Sequence, residues 1–200
     1  MDTTTFTLSK VRCIPMVKLY TQSQAPKLIQ ALRDSGVRAV NVSQQGGDGP
    51  ALLKILSKEE TLLVGAGNVQ TYEQAERAIH AGAAFIFSPL FDERMIELCH
   101  NRRVPIYPVT TQANLAVLHQ LKVLGCYPVE ELGGLSFIDR MAAEGDFSFF
   151  VAGHIDESRM NHYLNHPHVL GMTGSWMFKD ADNWKAVTDA LIRTKQYWLS

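Results

Sequence analysis

Apolar residues in this chain fall into short runs, separated by longer stretches in which they recur at helical spacing. The runs at 12–17, 38–42, 61–64, 84–87, 105–108, 123–127, 147–151 and 169–172 are short and largely apolar, the pattern of strands buried on both faces. Between them, 25–35, 71–81 and 92–101 read as amphipathic helices. Leu28, Ile29 and Leu32 set the buried face of the first, and Gly36 stands just past its end, where a left-handed C-cap suits glycine. Thr71 with Gln74 three residues on predicts a capping box. Asp156 predicts an N-cap ahead of a Met160, Tyr163 and Leu164 face, and Pro50 fits the first turn of the second helix.

The alternation repeats as eight strand–helix units at about 20–25 residues each, the spacing of βαβ crossovers. Two α/β architectures satisfy it: a closed (β/α)8 TIM barrel and an open doubly wound sheet. No Gly-x-Gly-x-x-Gly turn follows the first strand, which favours the barrel only weakly. In both folds chemistry collects at the carboxyl ends of the strands. The polar residues there are Lys18, Gln44, Gln45, Asn68, Ser88, Thr110, Thr111, Tyr127, Glu130, His154, Thr173 and Ser175.

Composition narrows the function classes. The 200 residues carry 46% apolar and 20% charged side chains and a formal net charge of −1, enough for one core and one domain over 1–200. Lys and Arg are scattered, so neither nucleic acid nor an anionic membrane is an expected partner. No apolar stretch is long enough to span a bilayer, and the opening residues lack the pattern of a signal peptide, so a cytoplasmic protein is expected. Cys13, Cys99 and Cys126 are odd in number and widely spaced, as buried reduced thiols would be. His162 and His166 stand at i, i+4 with His168 nearby, but without the glutamate of a His-Glu-x-x-His site; they read as surface histidines, and no metal is expected. Trp176, Trp184 and Trp198 read as packing for the last helices.

Several segments, in order along the chain, resemble one family. They are Ile14-Pro15-Met16-Val17, Gly36-Val37-Arg38-Ala39-Val40, Val64-Gly65-Ala66-Gly67-Asn68-Val69, Phe87-Ser88-Pro89, Tyr127-Pro128-Val129-Glu130 and Thr173-Gly174-Ser175-Trp176. Together, from Val11 to Trp176, they make the chain similar to the KDPG/KHG aldolases (2-keto-3-deoxy-6-phosphogluconate and 4-hydroxy-2-oxoglutarate aldolases). The resemblance implies a single (β/α)8 barrel, no cofactor, a small keto acid or sugar phosphate as ligand, and a homotrimer. It also implies class I chemistry: a sixth-strand lysine forms a Schiff base, a second-strand glutamate moves protons, and an arginine and a threonine hold the carboxylate of the keto acid.

Residue by residue, this chain departs from that pattern. The family's Glu-Val-Thr-x-Arg is Asn41-Val42-Ser43-Gln44-Gln45, and Gly-Ala-Gly-Thr ends in Asn68. The lysine of Phe-Lys-x-Phe-Pro falls at Gly125, in a register pinned by Lys122 three residues before and Pro128 three after. Glycine forms no Schiff base, and a carboxamide accepts no proton near neutrality. The resemblance therefore implies a catalytically silent or diverged homologue, a pseudoenzyme whose pocket contains Lys18, Asn41, Gln45, Asn68 and Tyr127. A phosphate site is implied at Gly153, His154, Gly174 and Ser175, where each turn keeps one of the family's two glycines. The alternative is a working aldehyde-lyase that uses another lysine, such as Lys18.

Overall fold

The computed structural model describes residues 1–18 and 20–199. Its strands are β1 (Cys13–Val17), β2 (Ala39–Ser43), β3 (Leu63–Gly67), β4 (Ile86–Ser88), β5 (Ile106–Pro108), β6 (Val123–Cys126), β7 (Ser148–Val151) and β8 (Val169–Gly174). The helices are α1 (Thr3–Val11), α2 (Ala25–Ser35), α3 (Gly49–Leu56), α4 (Tyr72–His80), α5 (Glu93–Arg102), α6 (Ala113–Leu118), α7 (Val129–Leu132), α8 (Gly134–Gly145), α9 (Met160–Leu164) and α10 (Trp184–Arg193). The strands pair in parallel in the order β5-β4-β3-β2-β1-β8-β7-β6, and a parallel bridge between Val109 and Gly125 joins the two ends. The chain is a (β/α)8 barrel, and the open sheet is excluded.

Local signals explain most of the elements. Gly36 caps α2 at φ 67°, its N–H bonded to the carbonyls of Leu32 and Arg33. Pro50 sits in the first turn of α3. Thr71 caps α4 by accepting from the Gln74 N–H at 3.2 Å. The reciprocal half of the expected box is displaced, because Gln74 Oε1 accepts from the Gln70 N–H at 2.7 Å. Asp156 caps a 3-10 turn, Glu157–Arg159, that leads into α9.

Periodicity did not predict α1. Its run of threonines has poor intrinsic helix propensity. Asp2 caps it by accepting from the Thr5 N–H at 2.8 Å, and its other face is held by tertiary burial. Leu8 and Val11 enter the barrel interior, where they join Ile14, Ala39, Phe85, Phe87, Tyr107 and Phe150. Thr5 Oγ1 donates to Asp2 Oδ2 at 2.5 Å. That commits its only proton, so the Tyr107 hydroxyl is the donor in the 2.8 Å Tyr107–Thr5 bond. Trp198 packs on the same interior cluster under the Arg38 guanidinium, 5.2 Å from the ring centroid, with Lys195 of the last 3-10 turn at 5.9 Å. Trp184 stacks on Tyr20 at 5.1 Å.

A second, larger core lies between the barrel and its helices. The three cysteines are buried and free. Burial raises their thiol pKa values, to about 12 for Cys99 and Cys126, so they stay protonated. Among the described residues no helix is long and apolar enough to cross a membrane.

Interior packing depends on small residues in β3. A Cβ on Gly65 would stand 2.1 Å from the Phe85 ring, which is itself held edge-on by Phe87 at 5.6 Å. Gly65→Ala is expected to destabilise the chain by about 1–3 kcal/mol through overpacking. The check is a urea melt: the midpoint should fall with an unchanged slope, and an unchanged midpoint would show that the interior is loosely filled.

Candidate functional site

The interior is filled from below, and a cavity of about 420 Å³ opens at the carboxyl ends of the strands. Its floor is aromatic: Phe87, Tyr107 and Phe150 lie at mutual centroid distances of 4.8–5.5 Å. Alternation along β2 turns Asn41 and Ser43 inward with Ala39, and both line the wall. Thr173 faces them from β8. The mouth is formed by the segments that follow the strands, with Lys18, Asn68, Tyr127, His154, Ser175 and Lys179.

Asn41 is the most buried polar group of the wall, 1% exposed. Its Nδ2 donates to Thr173 Oγ1 at 3.2 Å, and among the described residues no group pairs with Oδ1. A Cβ on Gly67 would lie 2.3 Å from that oxygen, so the glycine makes room for the amide. Gly125 is placed differently. Its backbone bridges to Val109, and a Cβ there would meet the Tyr107 carbonyl oxygen at 2.9 Å and Val109 Cγ2 at 3.2 Å.

Lys18, Asn41, Asn68, Gly125, Tyr127, Gly153, His154, Gly174 and Ser175 all line this one cavity. Gln45 does not. Its amide donates to the Asn68 carbonyl at 2.9 Å and reaches Gln74 Oε1 at 3.5 Å, so it braces the loop after β3. Gln44 bonds the Val42 carbonyl, Thr110 accepts from the Gln112 N–H, and Lys122 is exposed and away from the cavity. Asn68 and His154 hold left-handed backbone at φ 55° and 51°. Asparagine and histidine are both among the non-glycine residues enriched in that conformation.

Sequence reasoning missed part of the wall. Trp176, expected as packing, lines the cavity with its buried indole N–H unpartnered by any protein group. Lys179 and Asp156 stand at the rim. The Ser158 hydroxyl, the Ser158 N–H and the nearby Lys179 hold Asp156 below the usual carboxylate range. Their signal was position alone, just beyond β7 and β8. Of the three histidines read as surface residues, His162 is exposed, whereas His166 and His168 are half-buried and joined by a bond from the His168 N–H to His166 Nδ1 at 3.3 Å. The α9 helix ends at Leu164, before His166. His166 meets Asp139 at 2.9 Å, and His168 bonds the Phe147 carbonyl. Among the described residues no group of three His, Cys, Asp or Glu could hold a metal ion.

The loops after β6 and β7 are locked together. A Cβ on Gly153 would stand 2.9 Å from Pro128 Cα, and the Val129 N–H bonds the Ala152 carbonyl at 2.9 Å. Glu130 accepts from the Tyr163 hydroxyl and from Arg159. These contacts, the Tyr163 bond first, hold its carboxyl below the ordinary value of 4.5.

Comparison with known proteins adds sequence relatives to this geometry. A family profile described as KDPG and KHG aldolase matches residues 5–190. The 2-dehydro-3-deoxy-phosphogluconate aldolase of Treponema pallidum (strain Nichols) is 34% identical over 175 residues, covering 85% of this chain and 83% of that protein. The 4-hydroxy-2-oxoglutarate/2-dehydro-3-deoxyphosphogluconate aldolase structure from TTHB1 superposes with a TM-score of 0.84 at 30% identity, covering 98% of each chain. The Legionella pneumophila KDPG aldolase, solved with pyruvate as a covalent carbinolamine, reaches 0.88 at 20% identity over 96% of this chain and 98% of that one, a likeness of fold.

The Glu130 cluster sets a pH dependence. A carboxyl with a depressed folded pKa contributes stability that is fully present above its unfolded value and lost as pH falls through the folded one. Urea midpoints are therefore expected to fall below about pH 4.5, and Glu130→Gln should flatten part of that acid limb. Superimposable acid limbs for the two proteins would assign no role to Glu130.

Proposed function

This chain belongs to the KDPG and KHG aldolase family, and from that premise we propose that it has left Schiff-base aldol chemistry and binds a small anionic sugar acid or phosphate at the barrel mouth. The observation that carries this reading is the environment of Gly125. The family pattern assigns it the lysine's place, and it sits where the chain leaves no room for a Cβ without a shift of β5 against β6. A Schiff-base amine must be unprotonated to attack, which takes burial or a neighbouring cation. The two lysines of the cavity, Lys18 and Lys179, are exposed at its rim. The position assigned to the proton-moving glutamate holds the amide of Asn41.

Anion binding is supported by the mouth: Gly153 and Gly174 line it, Ser175 offers a hydroxyl, and Lys18 and Lys179 add charge against the one carboxylate of Asp156. Lys18 also keeps the lyase alternative in play, because it is an amine on the cavity wall. Family resemblance further supports a single-domain cytoplasmic homotrimer with no cofactor.

Treatment with pyruvate and borohydride, followed by mass measurement, separates the two readings. No lysine adduct is expected; a stable adduct on Lys18 or Lys179 would establish the lyase. Gly125→Lys alone is expected to give no detectable aldol cleavage. The new side chain must displace the Tyr107 carbonyl, and a missing general base costs about 10²–10⁴-fold in rate. Turnover by that single variant would show that the lysine alone was missing and that Asn41 does not block the chemistry.

A further inference from the structure

The cavity is polar in two different ways along its depth. Its cations, Lys18 and Lys179, are at the exposed rim, beside the glycine turns after β7 and β8. Below them the polar groups are neutral and buried: Asn41, Ser43 and Thr173, above the aromatic floor. A ligand with charge at both ends would place one anionic end here without a cation, at a large desolvation cost.

Asn41 specifies what this neutral end takes. One end of its amide is used by Thr173, and the other has no protein partner although the side chain is 1% exposed. The assignment of oxygen and nitrogen in an amide follows the hydrogen bonds, and Thr173 can serve either. The free end is therefore an acceptor in one orientation and a donor in the other. A hydroxyl pairs with both; a carboxylate pairs only with the donor.

We infer that the site is specific for a polyol or sugar monophosphate whose far end is an uncharged hydroxyl, received by Asn41, and that it rejects the matching sugar acid. This rests on the anion-binding reading of the mouth given above and narrows it.

Calorimetry on the full chain tests it with three probes: sorbitol 6-phosphate, 6-phosphogluconate and hexyl phosphate. The first two share chain length and phosphate and differ at the far end, hydroxymethyl against carboxylate; the third has no hydroxyls. Sorbitol 6-phosphate should bind at least about tenfold tighter than either of the others, the order of discrimination expected when a buried polar group is left unpaired. Asn41→Leu should lower its affinity towards that of hexyl phosphate. Equal or tighter binding of 6-phosphogluconate overturns the inference and leaves the anion site standing, as does equal binding of hexyl phosphate. Binding by none of the three removes the anion site itself. The comparison on the unaltered protein decides the matter even where Asn41→Leu fails to fold.

Discussion

The barrel closes where β6 meets β5, and it does so through a glycine. Gly125 bridges to Val109 with its Cα facing the Tyr107 carbonyl, in a space that a Cβ would enter at 2.9 Å. A parallel barrel has no spare edge, so the backbone groups of its first and last sheet neighbours must find each other. Tyr107, whose carbonyl bounds Gly125, also turns its ring into the floor of the cavity. The seam of the fold and the floor of the site thus share a residue, and a change at position 125 acts on both.

Below that seam the interior is solid. Phe85 and Phe87 from the β4 segment, Tyr107 from β5 and Phe150 from β7 fill it, and Leu8 and Val11 of α1 close its amino-terminal end. The Tyr107 hydroxyl is tied to Thr5, and Thr5 to Asp2, so the ring that floors the cavity is held from the opposite end of the barrel. Dense packing leaves such a ring few alternative positions. The small residues Gly65 and Gly67 are the counterpart: one yields its space to Phe85, the other to Asn41.

The eight strands were legible because burial on both faces imposes continuous apolar runs, and their ends fell within a few residues of prediction. The C-cap at Gly36 was legible for a conformational reason, the N-cap at Asp156 for a hydrogen-bonding one. The helix α1 was not, since its threonines oppose helix formation locally and only the barrel interior rewards it. In the site, position at strand ends was enough to place Lys18, Asn68 and His154 on the cavity. It could not tell which of two adjacent glutamines would turn inward, and neither does: Gln44 folds back on Val42 and Gln45 on Asn68. Trp176 was assigned by residue type to packing at the last helices, and it does pack on the outer core and under Arg193 of α10; its further place on the cavity exists only in the assembled barrel.

The same logic separates what the fold supplies from what individual side chains add. Gly153 at positive φ after β7 and Gly174 at the end of β8 are backbone features of the mouth. On the proposed reading, an anion site built on backbone tolerates side-chain change as long as these segments hold their shape. The wall below is built from side chains, and its character follows from them alone. On the proposed reading, amides at 41 and 68 in a shell without buried cations turn a site for charged keto acids into one that pairs hydroxyls. The desolvation cost that would penalise a buried carboxylate there is the same cost that leaves Asn41 Oδ1 in need of a partner. One physical term thus governs both what the cavity excludes and what it receives.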